Sequence, residues 1–244
     1  MKVAVIIPAA GRGERFGSAE NKTFAKLGGR PVFLRTIEHF INREDVCQTI
    51  VVVSGGDMTT MKEKYAANLA FMGVTLVEGG ATRSDSVSAG LKAVGEEATL
   101  VAIHDAARPC VTESMIDAVF AEASKSGAAI LASPLHGTIK RVSDAGVIDA
   151  TVAREGLYEA QTPQVFKRSL IVDVYSDFPP GAEQATDDAQ IVEFAGHAVS
   201  VVESDGTNLK ITTKADMTLA NAILKARPAA KPVKRFGAYE EAQW

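Results

Sequence analysis

Cysteine is scarce in this chain of 244 residues, which contains Cys47 and Cys110 and no other. The two cysteines form no CxxC pair and have no histidine at a zinc-ligand spacing, so we expect reduced thiols and no structural zinc. No apolar run reaches the roughly 20 residues that a membrane-spanning helix needs. The apolar run at the N-terminus stops at Pro8, which is too early for a secretory signal. These features predict a cytoplasmic protein with no membrane partner.

Basic residues show no surplus, because 26 Lys and Arg stand against 30 Asp and Glu and give a formal net charge of −4. A nucleic-acid-binding domain usually carries a basic excess, so no nucleic-acid partner is expected. The 4 histidines form no Ser/His/Asp or Cys/His pattern at a recognised spacing, which disfavours nucleophilic catalysis by a side chain. The remaining composition, 46% apolar and 23% charged, is that of an ordinary globular protein.

Short runs rich in valine and isoleucine alternate with segments of helical periodicity in the first half of the chain. Unbroken apolar runs of this length are typical of strands buried on both faces, as in a parallel sheet covered by helices. This order predicts an α/β fold with a doubly wound, mostly parallel, Rossmann-like sheet. The predicted strands are 3–7, 50–53, 74–77, 100–103 and 129–132, and the predicted helices are 31–42, 58–69, 82–94 and 113–126.

The alternation of predicted strands and helices is interrupted in the second half of the chain. Residues 138–152 predict two strands joined by a turn at 144–146, and we expect this polar hairpin to project as a β-arm at about 136–160. We predict one domain over 1–226 and a loose tail over 227–244. Further helices are predicted at 168–176, 187–195 and 214–226, and strands at 198–202 and 208–211. The predicted N-caps in the whole chain are Asp57, Thr82 or Ser84, Thr112 and Thr186, and Gly127 is expected to end the helix that Thr112 begins.

The loop after the first predicted strand is a candidate binding site, because ligands of open parallel sheets bind beyond the carboxyl ends of the strands. Its small residues let a ligand approach backbone N–H groups, which suit an anion. The loop lacks the Walker A pattern, and Gly17 comes one residue too late for the GxGxxG pattern, so a dinucleotide oxidoreductase is disfavoured. The candidate residues are Pro8, Ala9, Ala10, Gly11 and Gly13, with Arg15 and Lys22 as nearby cations.

The loop after the third predicted strand, residues 79–87, places glycines, hydroxyls and an arginine at the start of a helix. Such a loop suits a phosphate or a sugar. The structural alternative is a capping box between Thr82 and Asp85. The candidate binding residues are Gly80, Arg83 and Ser86.

The loop after the fourth predicted strand has the sequence HDAARP at 104–109. A carboxylate at the end of a buried strand is well placed for a divalent cation, which makes Asp105 the candidate ligand. The structural alternative is an ion pair between Asp105 and Arg108. Three polar loops at neighbouring strand ends indicate a phosphate-binding site more strongly than any single loop.

Taken together, these residues resemble the 2-C-methyl-D-erythritol 4-phosphate cytidylyltransferases, a nucleotidyltransferase family of non-mevalonate isoprenoid biosynthesis. The matching strings occur in family order over about residues 3–225, so the resemblance covers nearly the whole chain. HDAARP, the arm and the late lysine are more specific than the first loop, which many nucleotidyltransferases share. The strings are AAGxGxR with Lys22, GGxxRxDSV at 79–87, HDAARP, TIKR at 138–141, Arg154, Thr186-Asp187 and NLKIT at 208–212.

The resemblance implies a Rossmann-like nucleotidyltransferase that joins CTP to a sugar-alcohol phosphate, with Mg²⁺ or another divalent cation as cofactor. It implies a homodimer in which the arm crosses to the partner subunit, so that Arg154 would serve the partner's site. The implied CTP-binding residues are Pro8, Ala9, Ala10, Gly11, Gly13, Gly80, Arg83 and Ser86. The implied catalytic residues are Arg15, Lys22, Arg154 and Lys210, the acceptor-binding residues are Thr138, Lys140, Arg154, Thr186, Asp187 and Lys210, and the metal ligand is Asp105.

The implied reaction agrees with the scarcity of histidine. The attacking phosphate oxygen is already an anion, so positioning and electrostatic stabilisation suffice without a general base. The alternatives are a ribitol-5-phosphate cytidylyltransferase, a nucleotide-sugar pyrophosphorylase and a non-catalytic nucleotide-binding regulator. Two departures from the family pattern stand out: Asn21-Lys22-Thr23 replaces the usual Pro-Lys-Gln, and Ala81 replaces a common acidic residue.

Overall fold

A seven-stranded mixed sheet forms the centre of the molecule. The computed structural model describes residues 1–11, 22–178 and 185–227. Across the sheet the strands are β11 (Ser200–Glu203), β7 (Ala128–Pro134), β10 (Tyr158–Lys167), β6 (Leu100–Ile103), β1 (Val3–Pro8), β4 (Val46–Val53) and β5 (Val74–Glu78). Strand β10 runs antiparallel to both of its neighbours, and the other adjacent strands are parallel, which confirms the mostly parallel α/β fold.

Helices and two small sheets complete the described part of the chain. The helices are α1 (Val32–Glu38), α2 (Gly55–Phe71), α3 (Arg83–Lys92), α4 (Glu113–Ser126), α5 (Arg168–Ser176), α6 (Asp188–Phe194) and α7 (Lys214–Ala226). The small sheets pair β2 (Lys26–Leu27) with β3 (Arg30–Pro31), and β8 (Ile139–Val142) with β9 (Ile148–Val152).

Strand β1 shows why the apolar runs of the sequence are unbroken. Val3, Val5 and Ile7 belong to the hydrophobic cluster on one face of the sheet, and Ala4 and Ile6 belong to the cluster on the other face. Successive side chains of a strand point to opposite faces, so a strand covered on both sides needs apolar residues at every position. Burial on both faces places these strands at the centre of the sheet. Because β1 is parallel to β4 and β6, the carboxyl ends of the three strands lie at one edge.

All seven predicted helices are present, with two corrections at their starts and one at an end, since α1 ends at Glu38 and not at residue 42. Helix α4 begins after Thr112, whose side chain accepts from the Met115 N–H, and ends at Gly127 with φ 94°, as predicted. Helix α2 begins earlier than predicted, because Ser54 and not Asp57 is its N-cap. Helix α6 is capped by Asp187 and not by Thr186, since the Asp187 carboxylate accepts from the Gln190 N–H.

The sequence prediction is wrong in two places along the second half of the chain. First, the prediction has no strand at Tyr158–Lys167, where the structure has β10 between β6 and β7. The sequence of β10, YEAQTPQVFK, mixes polar residues and proline, so the apolar pattern of a buried strand is missing from it. Residues 208–211 are predicted as a strand but form an irregular segment, tied to the rest of the chain by the Ile211 N–H donating to the Ala107 carbonyl.

Strands β8 and β9 form the predicted hairpin, with the Gly146 N–H donating to the Ser143 carbonyl in its turn. Gly146 has φ 76°, a backbone conformation that favours glycine. Most residues of the two strands are exposed. Their role as an arm between subunits and the domain boundary at 226 stay predictions. The tail predicted from 227 lies outside the described residues after Arg227. No helix in the described ranges is both long and apolar enough to cross a membrane.

Candidate active site

A cleft of about 920 Å³ opens where β1, β4 and β6 end and α3 begins. All three loops predicted from the sequence contribute to its lining, together with the start of α2 at Ser54–Gly56 and with Lys210 from the irregular segment. Parallel strands place their carboxyl ends on one edge, which explains why residues far apart in sequence meet here. The predicted residues that line the cleft are Pro8, Ala9, Ala10, Gly11, Lys22, Gly80, Arg83, Ser86, Asp105 and Lys210.

Other predicted site residues are not in this cleft. Thr138, Lys140, Arg154, Thr186 and Asp187 are absent from the lining formed by the described residues of this chain. The Arg154 guanidinium donates to the backbone carbonyl of a nearby residue, His136, and the Lys140 ammonium donates to Thr151 across the hairpin at 2.6 Å. Gly13 and Arg15 lie outside the described residues, as does Asn21.

The first loop is anchored to the neighbouring strands by its backbone. The Ala9 N–H donates to the Val52 carbonyl of β4 at 2.7 Å, and the Ala106 N–H donates to the Pro8 carbonyl at 3.4 Å. These bonds hold the first and third loops side by side at the floor of the cleft.

The second loop is both a helix cap and a part of the cleft. Thr82 and Asp85 form the capping box at the start of α3, so the structural interpretation holds. The same loop also lines the cleft, through Gly80, Ala81 and Thr82. A Cβ at Gly80 would collide with the Cβ of Asp85, because the chain turns tightly into the helix. Glycine is therefore required here by the cap itself, and the exposed backbone beside it is available to a ligand.

Asp105 lies at the centre of the positive charge of the cleft. Its Oδ2 is 2.7 Å from the Lys210 Nζ and 3.6 Å from the Arg108 Nε, and its Oδ1 is 3.9 Å from the Arg83 Nη2. Burial would raise the pKa of the Asp105 carboxyl, but Lys210, Arg83 and Arg108 outweigh burial and hold that pKa below its usual range. The predicted ion pair with Arg108 is present but is the longer of the two contacts at Oδ2. Arg83 also pairs with a second carboxylate, Asp188, so three cations stand against two carboxylates and leave net positive charge for an anionic ligand.

His104, which precedes Asp105, is fully buried and connects the 104–109 loop to the rest of the fold. Its Nε2 is 3.1 Å from the Arg108 carbonyl, which can only accept, so Nε2 carries the proton. Its Nδ1 therefore accepts from the Thr162 hydroxyl at 3.1 Å, and the Thr162 oxygen accepts from the Asp105 N–H at 3.0 Å. This chain of bonds joins the backbone of Asp105 to β10.

We expect the buried histidine to make the fold sensitive to acid. Burial lowers the pKa of His104 to about 3, so the folded protein binds fewer protons than the unfolded chain below pH 6.5. Stability is therefore lost as pH falls from 6.5 towards 3, at up to about 1.4 kcal/mol per pH unit from this residue. Between pH 6.5 and 5.0, urea unfolding should show that the wild type loses about 2 kcal/mol more than a His104→Gln variant, while His39, whose pKa burial also lowers, contributes equally to both. An unchanged loss in that variant would contradict the role of His104, and His197→Gln, at an exposed position, is the control.

Lys210 is held in place by a clamp on its segment. The Arg108 guanidinium donates to the Asn208 carbonyl at 2.6 Å, and the Asn208 amide donates to Gln161 and to the Thr162 carbonyl, each at 2.9 Å. Arg108, Asn208, Gln161 and Thr162 are all buried. The clamp explains how an irregular segment presents an ammonium group to Asp105 at a defined position.

The sequence prediction does not include the buried polar side chains that hydrogen-bond to residues of the cleft or to the groups that hold those residues. Thr162, Gln161 and Gln164 lie on β10, the strand missing from the sequence prediction, and Asp188 was passed over beside Asp187. Asp188 and Gln164 are almost fully buried. The run Gln161-Thr162-Pro163-Gln164 is polar, but no motif in it indicates which groups these side chains contact.

The donor set of the cleft fits a divalent cation that arrives with a phosphorylated ligand. Mg²⁺ is commonly held by one or two carboxylates together with substrate phosphates and water. Asp105 is the one carboxylate among the described residues that line the cleft. Across 1–11, 22–178 and 185–227, no three His, Cys, Asp or Glu side chains cluster as a metal site. The residues present therefore fit a metal shared with phosphates and do not form an all-protein cage.

A mostly parallel sheet with a glycine-lined, cation-rich cleft at its carboxyl edge is typical of α/β proteins that bind phosphorylated ligands. The particular family follows from comparison with known proteins. A model of the 2-C-methyl-D-erythritol 4-phosphate cytidylyltransferase family matches residues 3–226, and the chain belongs to this family. The resemblance drawn from the sequence is therefore confirmed.

Individual relatives agree with the family match. A 2-C-methyl-D-erythritol 4-phosphate cytidylyltransferase of Rhodopirellula baltica is 46% identical over 233 residues, covering 91% of this chain and 94% of the relative. One of Alkaliphilus oremlandii is 40% identical over 227 residues, covering 93% and 96%. The crystal structure of 4-diphosphocytidyl-2C-methyl-D-erythritol synthase from Anaerococcus prevotii is 32% identical with a TM-score of 0.77, covering 91% of this chain and 96% of that one. That of the cytidylyltransferase from Thermus thermophilus is also 32% identical, with a TM-score of 0.76 and coverage of 92% and 100%.

Proposed function

We propose that this cleft transfers the cytidylyl group of CTP to 2-C-methyl-D-erythritol 4-phosphate. A phosphate oxygen of the acceptor attacks the α-phosphorus of CTP, a new P–O bond forms, and the bond to the bridging oxygen breaks. Pyrophosphate leaves, and the product is 4-diphosphocytidyl-2-C-methyl-D-erythritol. No proton is transferred in this step, which suits a cleft in which Lys210 and Arg83 are held by ion pairs with Asp105.

The observation that carries the proposal is the meeting of Lys22, Arg83, Asp105 and Lys210 beside the glycine-rich loops in a chain of this family. Bringing an anion to a triphosphate requires positive charge that is already in place. We assign the loop from Pro8 to Gly11 to the CTP phosphates, with Gly80, Arg83 and Ser86 as further nucleotide contacts. Lys22 stabilises charge on the reacting phosphate.

The acceptor side of the cleft is assigned to Lys210 and to residues supplied by the hairpin. Lys210 is half-exposed beside Asp105, where an acceptor phosphate can reach it. Arg154, Thr138 and Lys140 do not line the cleft of their own chain, which supports the proposal that they serve the partner subunit's site in a homodimer. Thr186 and Asp187 stay candidate acceptor contacts, although Asp187 also caps α6.

Asp105 would hold Mg²⁺ or another divalent cation together with the CTP phosphates. When bound, the ion would neutralise phosphate charge and make the α-phosphorus more electrophilic. Arg15 and Gly13, which lie outside the described residues, stay in the proposal as a catalytic cation and a phosphate-loop residue. We also propose a cytoplasmic location, since Cys47 and Cys110 are both free thiols.

Pyrophosphate release tests the proposed function. The purified protein is mixed with CTP and Mg²⁺ and with either 2-C-methyl-D-erythritol 4-phosphate or D-ribitol 5-phosphate. We expect strong turnover with the first acceptor and little with the second. A preference for ribitol phosphate would overturn the acceptor assignment alone, and release with neither acceptor would overturn the proposed activity. EDTA in place of Mg²⁺ is expected to abolish release.

A further inference from the structure

A second buried carboxylate lies behind the cleft, and the assigned reaction does not use it. Asp188, the first residue of α6, has a side chain with 0% exposure. Its Oδ2 is 2.6 Å from the Arg83 Nη2, and its Oδ1 accepts from the Tyr175 hydroxyl at 2.6 Å. A fully buried charge is costly unless it is paired and hydrogen-bonded, so each of these partners is needed.

Asp188 is itself held firmly by β10. The Gln164 side-chain carbonyl accepts from the Asp188 N–H at 3.0 Å and from the Ala189 N–H at 2.9 Å. The amide of the same side chain donates to the Asp187 carboxylate at 2.9 Å. Gln164 is 1% exposed, and both its side-chain oxygen and its side-chain nitrogen are hydrogen-bonded. The start of α6 is thereby fixed to the central sheet, and the Asp188 carboxylate is fixed with it.

The same network determines where Arg83 points. The Nη2 atom that binds Asp188 is also 3.9 Å from the Asp105 Oδ1, while the Arg83 side chain lines the cleft and keeps 31% exposure. Burial would lower the pKa of Arg83, but the charge of Asp188 outweighs burial and raises it. Burial and Asp188 both raise the pKa of Tyr175, which therefore stays a donor.

We propose that Asp188 is a positioning residue of the nucleotide site, which holds the Arg83 guanidinium at the wall of the cleft beside Asp105. Without this anchor, Arg83 would turn towards Asp105, the other carboxylate within its reach. It would then neutralise the carboxylate that is assigned to the metal and withdraw its charge from the nucleotide. The inference rests on the proposed function, in which Arg83 contacts CTP.

The test is a double-mutant cycle between Asp188→Asn and Arg83→Gln, read out as kcat and KM for each substrate. Asp188→Asn keeps the size of the side chain and removes its charge. We expect it to raise KM for CTP about tenfold or more, because a misplaced contact loses most of its effect. KM for the acceptor should change by less than about threefold. In the Arg83→Gln background, Asp188→Asn should add less than about twofold to KM for CTP.

Two further variants separate positioning from a role in stability. Tyr175→Phe removes a hydrogen bond from Asp188 but leaves its pairing with Arg83, so it should lower Tm while KM for CTP stays within about threefold. Asp188→Glu keeps the charge but moves it by one methylene, and it should raise KM for CTP even if Asp188→Asn folds too poorly to assay.

The outcomes distinguish this inference from the proposed function. If Arg83→Gln alone leaves KM for CTP unchanged, the nucleotide role of Arg83 is wrong and the role of Asp188 fails with it. If Arg83→Gln raises KM for CTP but the Asp188 variants do not, or if their effects simply multiply, the role of Asp188 alone is overturned.

Discussion

Replacing Lys22 with alanine is expected to lower kcat by about a hundredfold or more, with both substrates saturating. Lys22 lines the cleft together with the first loop, to which we assign the CTP phosphates. In the transition state the phosphorus is pentacoordinate, and negative charge develops on the departing pyrophosphate. A cation placed for that charge therefore contributes more to kcat than to binding.

Steady-state pyrophosphate release measures this effect, and Lys26→Ala is the matched control. Lys26 is an exposed lysine four positions away that does not line the cleft, so its removal should leave kcat within about twofold. Wild-type kcat together with wild-type KM for CTP in the Lys22→Ala variant would show that Lys22 has no part in the reaction. An increase in KM for CTP at constant kcat would assign Lys22 to ground-state binding instead.

The parts of the fold that the sequence predicts are those whose signals are local. Strands β1 and β6 are continuous runs of apolar residues because both faces of the sheet are covered. Helix α4 carries its own N-cap, Thr112, and its own terminating glycine, Gly127, so its bounds are predicted to the residue. Strand β10 has no such local signal, since what stabilises it is pairing with β6 and β7.

The same distinction applies to the cleft. Its loops could be predicted because each follows a recognisable strand, and their carboxylate and cations are local sequence features. Asp188 and Thr162 could not be predicted from the residues around them, because their partners Arg83 and His104 are 105 and 58 positions away. Groups that act through a buried partner become visible only when the chain is folded.

Replacing Asp105 with asparagine is expected to lower kcat by about a hundredfold or more. Asparagine keeps the backbone N–H that donates to Thr162, so the loop should stay in place. What is lost is the charge that pairs with the Lys210 ammonium at 2.7 Å and that would bind the divalent cation. Lys210 and Arg83 would then lack their common anionic partner, and the concentration of Mg²⁺ needed for half-maximal activity should rise.

The pH dependence of the wild-type enzyme provides an independent check on Asp105. The neighbouring cations hold the pKa of its carboxyl below the usual range, so it remains ionised from pH 8 down to about 5. Any acidic limb of kcat in that interval must therefore come from other groups, including the phosphates of the substrates.

Asp117→Asn is the control for charge, because Asp117 is an exposed carboxylate of α4 that pairs with Arg43 away from the cleft. We expect its kcat to stay within about twofold of wild type. Should Asp105→Asn retain wild-type kcat at limiting Mg²⁺, both assigned roles of Asp105 would be wrong. A fall in kcat that excess Mg²⁺ reverses would assign Asp105 to the metal, whereas a fall that persists at saturating Mg²⁺ would assign it chiefly to the placement of Lys210.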